Sequence, residues 1–151
     1  MVVSGAPSIT PLVDRLCARF EDRDEGLAVV TDLMVLIASA DSVIDETEKR
    51  ALADSVEAML ASHVAPRLLR VVVEESRARI RGVGPELSAD GIGRKLASRR
   101  AAEDGIRLAV FIAAISEGIS VVERKRIERL AAAAGIAPTR VASFMSDPFS
   151  F

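Results

Sequence analysis

The chain has no tryptophan, no tyrosine, one cysteine and one histidine in 151 residues, and its only aromatics are five phenylalanines. Without indole or phenol rings it lacks the usual platforms for stacking sugars, unpaired bases or methylated lysine. A lone Cys17 can form no internal disulfide and fits a reducing compartment. It falls in helical step with Val13, Leu16 and Phe20, which marks a small core residue rather than a nucleophile. His63 has no second histidine or cysteine nearby to complete a zinc site, and no serine, histidine and aspartate set suggests a hydrolase. Catalysis is left without its usual side chains, so no enzyme is expected. Long apolar runs are missing too. The two longest, around "GLAVVTDLMVLIASA" and "IRLAVFIAAI", are broken by polar residues and fall short of the ~20 that a membrane span needs. The opening "MVVSGAPSIT" has neither the basic start nor the apolar run of a secretory signal. A cytoplasmic protein with no transmembrane segment is expected, with peripheral membrane association left open.

Charge of one sign is also scarce. The net charge of −2 supplies no overall pull toward a phosphate backbone. Local basic groups exist at Arg77, Arg79, Arg81, Arg94, Lys95, Arg99 and Arg100, but Glu74, Glu75, Glu103 and Asp104 lie among them. That mixture reads as a solvated face, and no nucleic-acid partner is expected. What remains, half apolar residues and 28% charged, is the composition of one ordinary globular domain.

Almost all of the periodicity is helical. Thr10-Pro11 offers an N-cap and a first-turn proline for a first helix, and a second, nearly apolar one should run from about Asp24 to Ala40. A third follows Asp45, with Leu52, Val56, Met59 and Leu60 as its stripe, and stops near His63. Pro66 opens a fourth that reaches about Ile80, where Gly82, Gly84 and Pro85 break it. Gly91 and Gly93 each cost a helix about 1 kcal/mol relative to alanine, so "ELSADGIGRKLASRR" is expected to be short or irregular. These glycines lack the preceding strand and the lysine of a phosphate-binding loop. Three more helices are expected over about Ala101 to Ile115, Ser120 to Ala134 and Pro138 to Met145.

The chain also repeats itself. A shift of 75 positions, from 41 to 116, lays "LMVLIASADSVIDETEKRAL" over "LAVFIAAISEGISVVERKRI". Leu33 falls on Leu108, Val35 on Val110, Ile37 on Ile112 and Glu48 on Glu123. Farther on the shift becomes 72, laying Pro66 on Pro138, so the third helix should be about one turn longer than its counterpart. His63 then falls on Gly135 and reads as a left-handed C-cap. A single all-α bundle of about seven or eight helices follows, with repeat one at about 27–80 and repeat two at about 101–146. Leu33, Val35, Ile37, Leu52, Leu108, Val110, Ile112, Ile127 and Leu130 should form its core.

At the bend before the third helix, "ADSVIDETE" gathers Asp41, Asp45 and Glu48. Asp45 and Glu48 have the spacing of a capping box, and the second copy reads Ser120-Val121-Val122-Glu123, the same box built on serine. Asp41 lies at a helix C-terminus, where the dipole disfavours negative charge. It is either a solvated hydrogen-bond acceptor or one of three carboxylates that converge on a hard cation such as calcium or magnesium. The spacing is not that of an EF-hand. The apolar ending "RVASFMSDPFSF" either folds back as core or engages a protein partner or a second copy in a homodimer.

Two copies of an apolar helix, a junction of the form Ala-Asp-x-x-Ile-Asp/Ser-x-x-Glu, an amphipathic helix and a "GIAP"-like restart resemble the TerB family of tellurite-resistance proteins and the related N-terminal region of DjlA-type cochaperones. The similarity spans about Leu27 to Met145. It implies an all-helical, cytoplasmic or membrane-associated protein of tellurite and stress resistance. It also implies divalent-metal binding at Asp41, Asp45 and Glu48 in the first copy and at Glu123, with Glu117, in the second. Where that family has Asp-Gly, this chain reads Asp41-Ser42 and Ser116-Glu117.

Overall fold

The computed structural model describes residues 8–41 and 43–151; the opening seven residues of the secretory-signal question and Ser42 of the first junction lie outside them. Eight α-helices and no strand occur among the described residues: α1 (Thr10–Cys17), α2 (Arg23–Ala38), α3 (Glu46–Leu60), α4 (Pro66–Val83), α5 (Pro85–Ser98), α6 (Ala102–Ala114), α7 (Val121–Ala134) and α8 (Pro138–Ser146). None is long and apolar enough to cross a membrane. Four of them, α1, α4, α5 and α8, carry a proline in the first two positions, where its missing N–H costs nothing. Helix α1 differs from expectation at its start. Ile9 occupies the N-cap with no side-chain bond, and Thr10 is already inside the helix. Asp22 caps α2, accepting from the amides of Asp24 and Glu25.

Helices α2 and α6 are the central rods. All nine residues expected in the core are fully buried, and Phe111, Leu12, Leu16 and Leu96 are buried with them. Burial of each such side chain contributes about 1.5–3 kcal/mol. Cys17 is half-buried beside Phe20, and burial pushes its thiol up to about 11, consistent with packing and not with nucleophilic chemistry. The tail folds back. Phe149 and Phe151 meet Phe111 edge-on at 5.3 and 5.8 Å, and Arg107 donates to the Ser150 carbonyl. The basic residues are largely engaged within the molecule: Arg79 with Asp32, and Lys95 and Arg99 with Glu25.

The order α2, elbow, α3, α4 recurs as α6, elbow, α7, α8, but three expectations need correction. First, the extra three residues of the first half are not a helical turn. Helix α3 is one residue longer than α7, and the connector 61–65 is two residues longer than 135–137. Second, the left-handed C-cap of α3 is Ala61 at φ 55°, matching Gly135 at φ 79°, whereas His63 is exposed and pairs with Glu57 at 2.8 Å. Third, α5 is a regular helix of 14 residues despite Gly91 and Gly93. Gly93 is there because α7 comes so close: a Cβ would lie 2.6 Å from both the Leu130 carbonyl oxygen and the Ala133 methyl. Tertiary packing outweighs the glycine's cost in helix propensity. Gly82 breaks nothing, and the chain turns instead at Gly84, φ 100°, a conformation that side chains resist.

Candidate functional site

Both sequence-predicted capping boxes form. In the first elbow the Glu48 amide donates to Asp45 Oδ1 at 2.8 Å and the Asp45 amide donates to Glu48 Oε1 at 3.0 Å. In the second, the Glu123 amide donates to Ser120 Oγ at 3.1 Å and the Ser120 amide donates to Glu123 Oε1 at 2.9 Å. Each box leaves its glutamate nearly closed to solvent, at 5% exposure for Glu48 and 4% for Glu123. Local sequence is sufficient for this much, since a cap needs only partners three residues apart.

The tertiary structure adds that the two elbows face each other. Ser120 Oγ donates to Asp41 Oδ1 at 3.3 Å, a bond between residues 79 apart in sequence. Reciprocally, the Ser116 hydroxyl is the leading influence holding the Asp45 carboxyl below its ordinary value, ahead of the Glu48 amide. The shift of 75 positions carries Asp41 to Ser116 and Asp45 to Ser120, so the Ser120–Asp41 bond and the influence of Ser116 on Asp45 fall at corresponding places in the repeat. At both places an aspartate of the first elbow meets a serine of the second. Had the second elbow kept aspartates, like charges would face each other at each contact.

Charge still accumulates. Glu48 is pushed up to about 7, first by burial and then by the neighbouring carboxylates of Asp45, Glu123 and Asp41. Burial likewise raises Glu123, with Asp41 and Asp45 adding to the effect. Arg126 reaches the same corner and donates to the Leu36 carbonyl at 2.7 Å, covering the C-terminal end of α2. Of the five acidic residues marked in the sequence, the fold brings Asp41, Asp45, Glu48 and Glu123 together. Glu117 stands exposed on the second elbow and joins none of these bonds.

Oxygen donors are the right chemistry for calcium or magnesium. Their arrangement is that of caps. Among the described residues no group of three or more His, Cys, Asp or Glu side chains is placed to hold a metal ion. The sequence showed Ser116 only as a departure from a pattern and Ser120 only as the serine of a capping box. Their cross-pairing was signalled only by complementary Asp and Ser letters at two positions of the repeat.

No protein-family model, no curated protein and no solved structure matches this chain.

Proposed function

We propose that the protein is a non-catalytic helical scaffold of TerB-like type, serving tellurite or related stress resistance by binding another macromolecule. The resemblance in the elbow and repeat pattern supports the family reading. The observation that carries the mechanism is the hydrogen bond from Ser120 to Asp41 between the elbows, with Ser116 placed near Asp45. Hydroxyls stand where further carboxylates would add like charge, which supports a contact between the elbows made without a resident metal. Thermal melting with and without millimolar calcium, magnesium or manganese tests this. The expected result is an unchanged curve.

A second reading keeps a weak divalent-cation site at the first elbow, favoured by the neighbouring carboxylates that add to burial in raising Glu48 and Glu123. It predicts a rise in melting temperature, since a ligand at a hundred times its dissociation constant stabilises by about 2.7 kcal/mol. Asp41→Asn would erase that rise. Observing both would replace the metal-free scaffold with a cation-dependent one.

A further inference from the structure

The segment that follows α8 carries its own fold. Asp147-Pro148-Phe149-Ser150 closes as a turn, with the Ser150 amide donating to the Asp147 carbonyl at 3.3 Å. Aspartate first and proline second favour such a turn, because the carboxylate accepts local amides and the ring presets φ. The turn aims Phe149 and Phe151 back at one ring, Phe111 of α6, at 5.3 and 5.8 Å between centroids, and Arg107 Nη1 donates to the Ser150 carbonyl at 2.8 Å. These contacts tie the segment to the body, and Phe149 is still 40% exposed. A non-helical segment with so few ties belongs to the low end of local stability.

The seat it occupies is held together by other contacts. Phe111 is a fully buried residue of α6. Arg107 lies with its guanidinium 4.3 Å over the Phe144 ring, and Arg140, bound by Glu103 at 2.8 and 3.3 Å, covers the same ring at 4.9 Å. An aromatic floor and a donor oriented by stacking therefore stay in place when the segment lifts away. The occupant in place defines the chemistry that fits: a proline turn presenting two phenylalanines one residue apart, with a carbonyl between them. A second copy of the chain carries the same turn. Its closing bond lies wholly inside the segment and travels with it, so one shape suits the seat of either molecule.

We infer that residues 147–151 are an exchangeable arm, which fills the seat on α6 of its own molecule and trades places with the arm of a second copy to form a two-fold dimer. In dilute solution the molecule's own arm prevails, because a short tether gives it an effective concentration in the millimolar range. Sedimentation equilibrium of the full chain should show monomer at micromolar concentration and dimer as the millimolar range is approached. The full-length variant Phe149→Ala with Phe151→Ala should stay monomeric throughout. By fluorescence anisotropy, a labelled peptide of residues 145–151 should bind that variant at least about tenfold more tightly than the wild type, whose own arm competes. Adding Arg107→Leu to the variant should weaken the peptide about fivefold, through loss of the bond to the Ser150 carbonyl. A wild type that stays monomeric near millimolar concentration, or a dimer that persists in the variant, overturns the proposal. So does a peptide that binds both proteins equally or neither. A variant that circular dichroism shows to be unfolded overturns it as well, because the arm is then an integral part of the core. All of these measurements are made without divalent ions, so a failed arm and a failed metal-free elbow are told apart.

Discussion

The two halves of this molecule have corresponding elements and solve the problem of covering an amphipathic helix differently. In the second half α7 is enclosed: α5 lies along one side, pressed to backbone distance through Gly93, and α8 closes another. In the first half α3 is held by α1 and α2, while α4 leans away onto α2 and α5 and leaves a groove. The lesson concerns short insertions. One more residue in the helix, two more in its connector and the Asp32, Ser76 and Arg79 anchor accompany an open helix pair where the other half has a closed one.

The comparison is broken most severely at the enclosed side. Gly93→Val should destabilise the protein by about 3 kcal/mol or more, or prevent folding, because the added carbons meet α7 backbone that has no room to yield. Gly91→Ala, on the same helix with nothing within 4 Å of its Cβ, should instead stabilise by up to about 1 kcal/mol. Urea unfolding of the two variants measures the contrast. Equal effects would show that α5 and α7 are not in intimate contact.

Restoring charge symmetry to the elbows comes next. Ser116→Asp with Ser120→Asp replaces both hydroxyl donors by carboxylates and should cost about 1–3 kcal/mol in the presence of a chelator. Millimolar calcium should recover part of that loss in the double variant while leaving the wild type unmoved. Thermal melts of both proteins, each with chelator and with calcium, decide it.

Acid should act on the elbows in the direction opposite to its usual one. Glu48 has a folded-state value of about 7 against an ordinary 4.5, so the folded chain binds its proton more tightly than the unfolded chain. Its contribution is complete below about pH 4.5 and is lost as pH rises through 7, a loss on the order of 1–3 kcal/mol. Glu123 works in the same sense. Asp45, held low by Ser116 and the cap amide, contributes above its unfolded value and loses that contribution in acid. Stability should therefore peak near pH 5. Glu48→Gln keeps the capping box and should flatten the fall between pH 5 and 7, gaining about 1–2 kcal/mol at pH 8. A wild type whose stability rises steadily from pH 5 to 8 would contradict this.

The smallest effects separate the two C-caps. Ala61 pays for a left-handed conformation that Gly135 adopts freely. Ala61→Gly should stabilise, and Gly135→Ala destabilise, each by about 0.5–1 kcal/mol in denaturant unfolding, while His63→Gly should change little.

Features set by neighbours a few letters away were legible in the sequence. Both capping boxes, the proline starts of α4 and α8, and the buried stripes through Leu33 and Leu108 depend on local spacing and hydrophobic period. Reading failed where distant groups decided the outcome. Gly93 was misread because its reason lies on α7, and His63 because the inserted residues fell partly in the connector. Asp32, an odd carboxylate in an apolar helix, is explained only by Arg79 and Ser76 more than forty positions onward.

The sequence by itself determined most of the helices, the two capping boxes and the composition of the core, because caps and amphipathic periods act over one or two turns. The tertiary structure alone decided that serines of one elbow face aspartates of the other and that α4 stands clear of α3. Such choices rest on contacts between segments far apart along the chain, where charge pairing and close packing select one arrangement among several that local preferences allow.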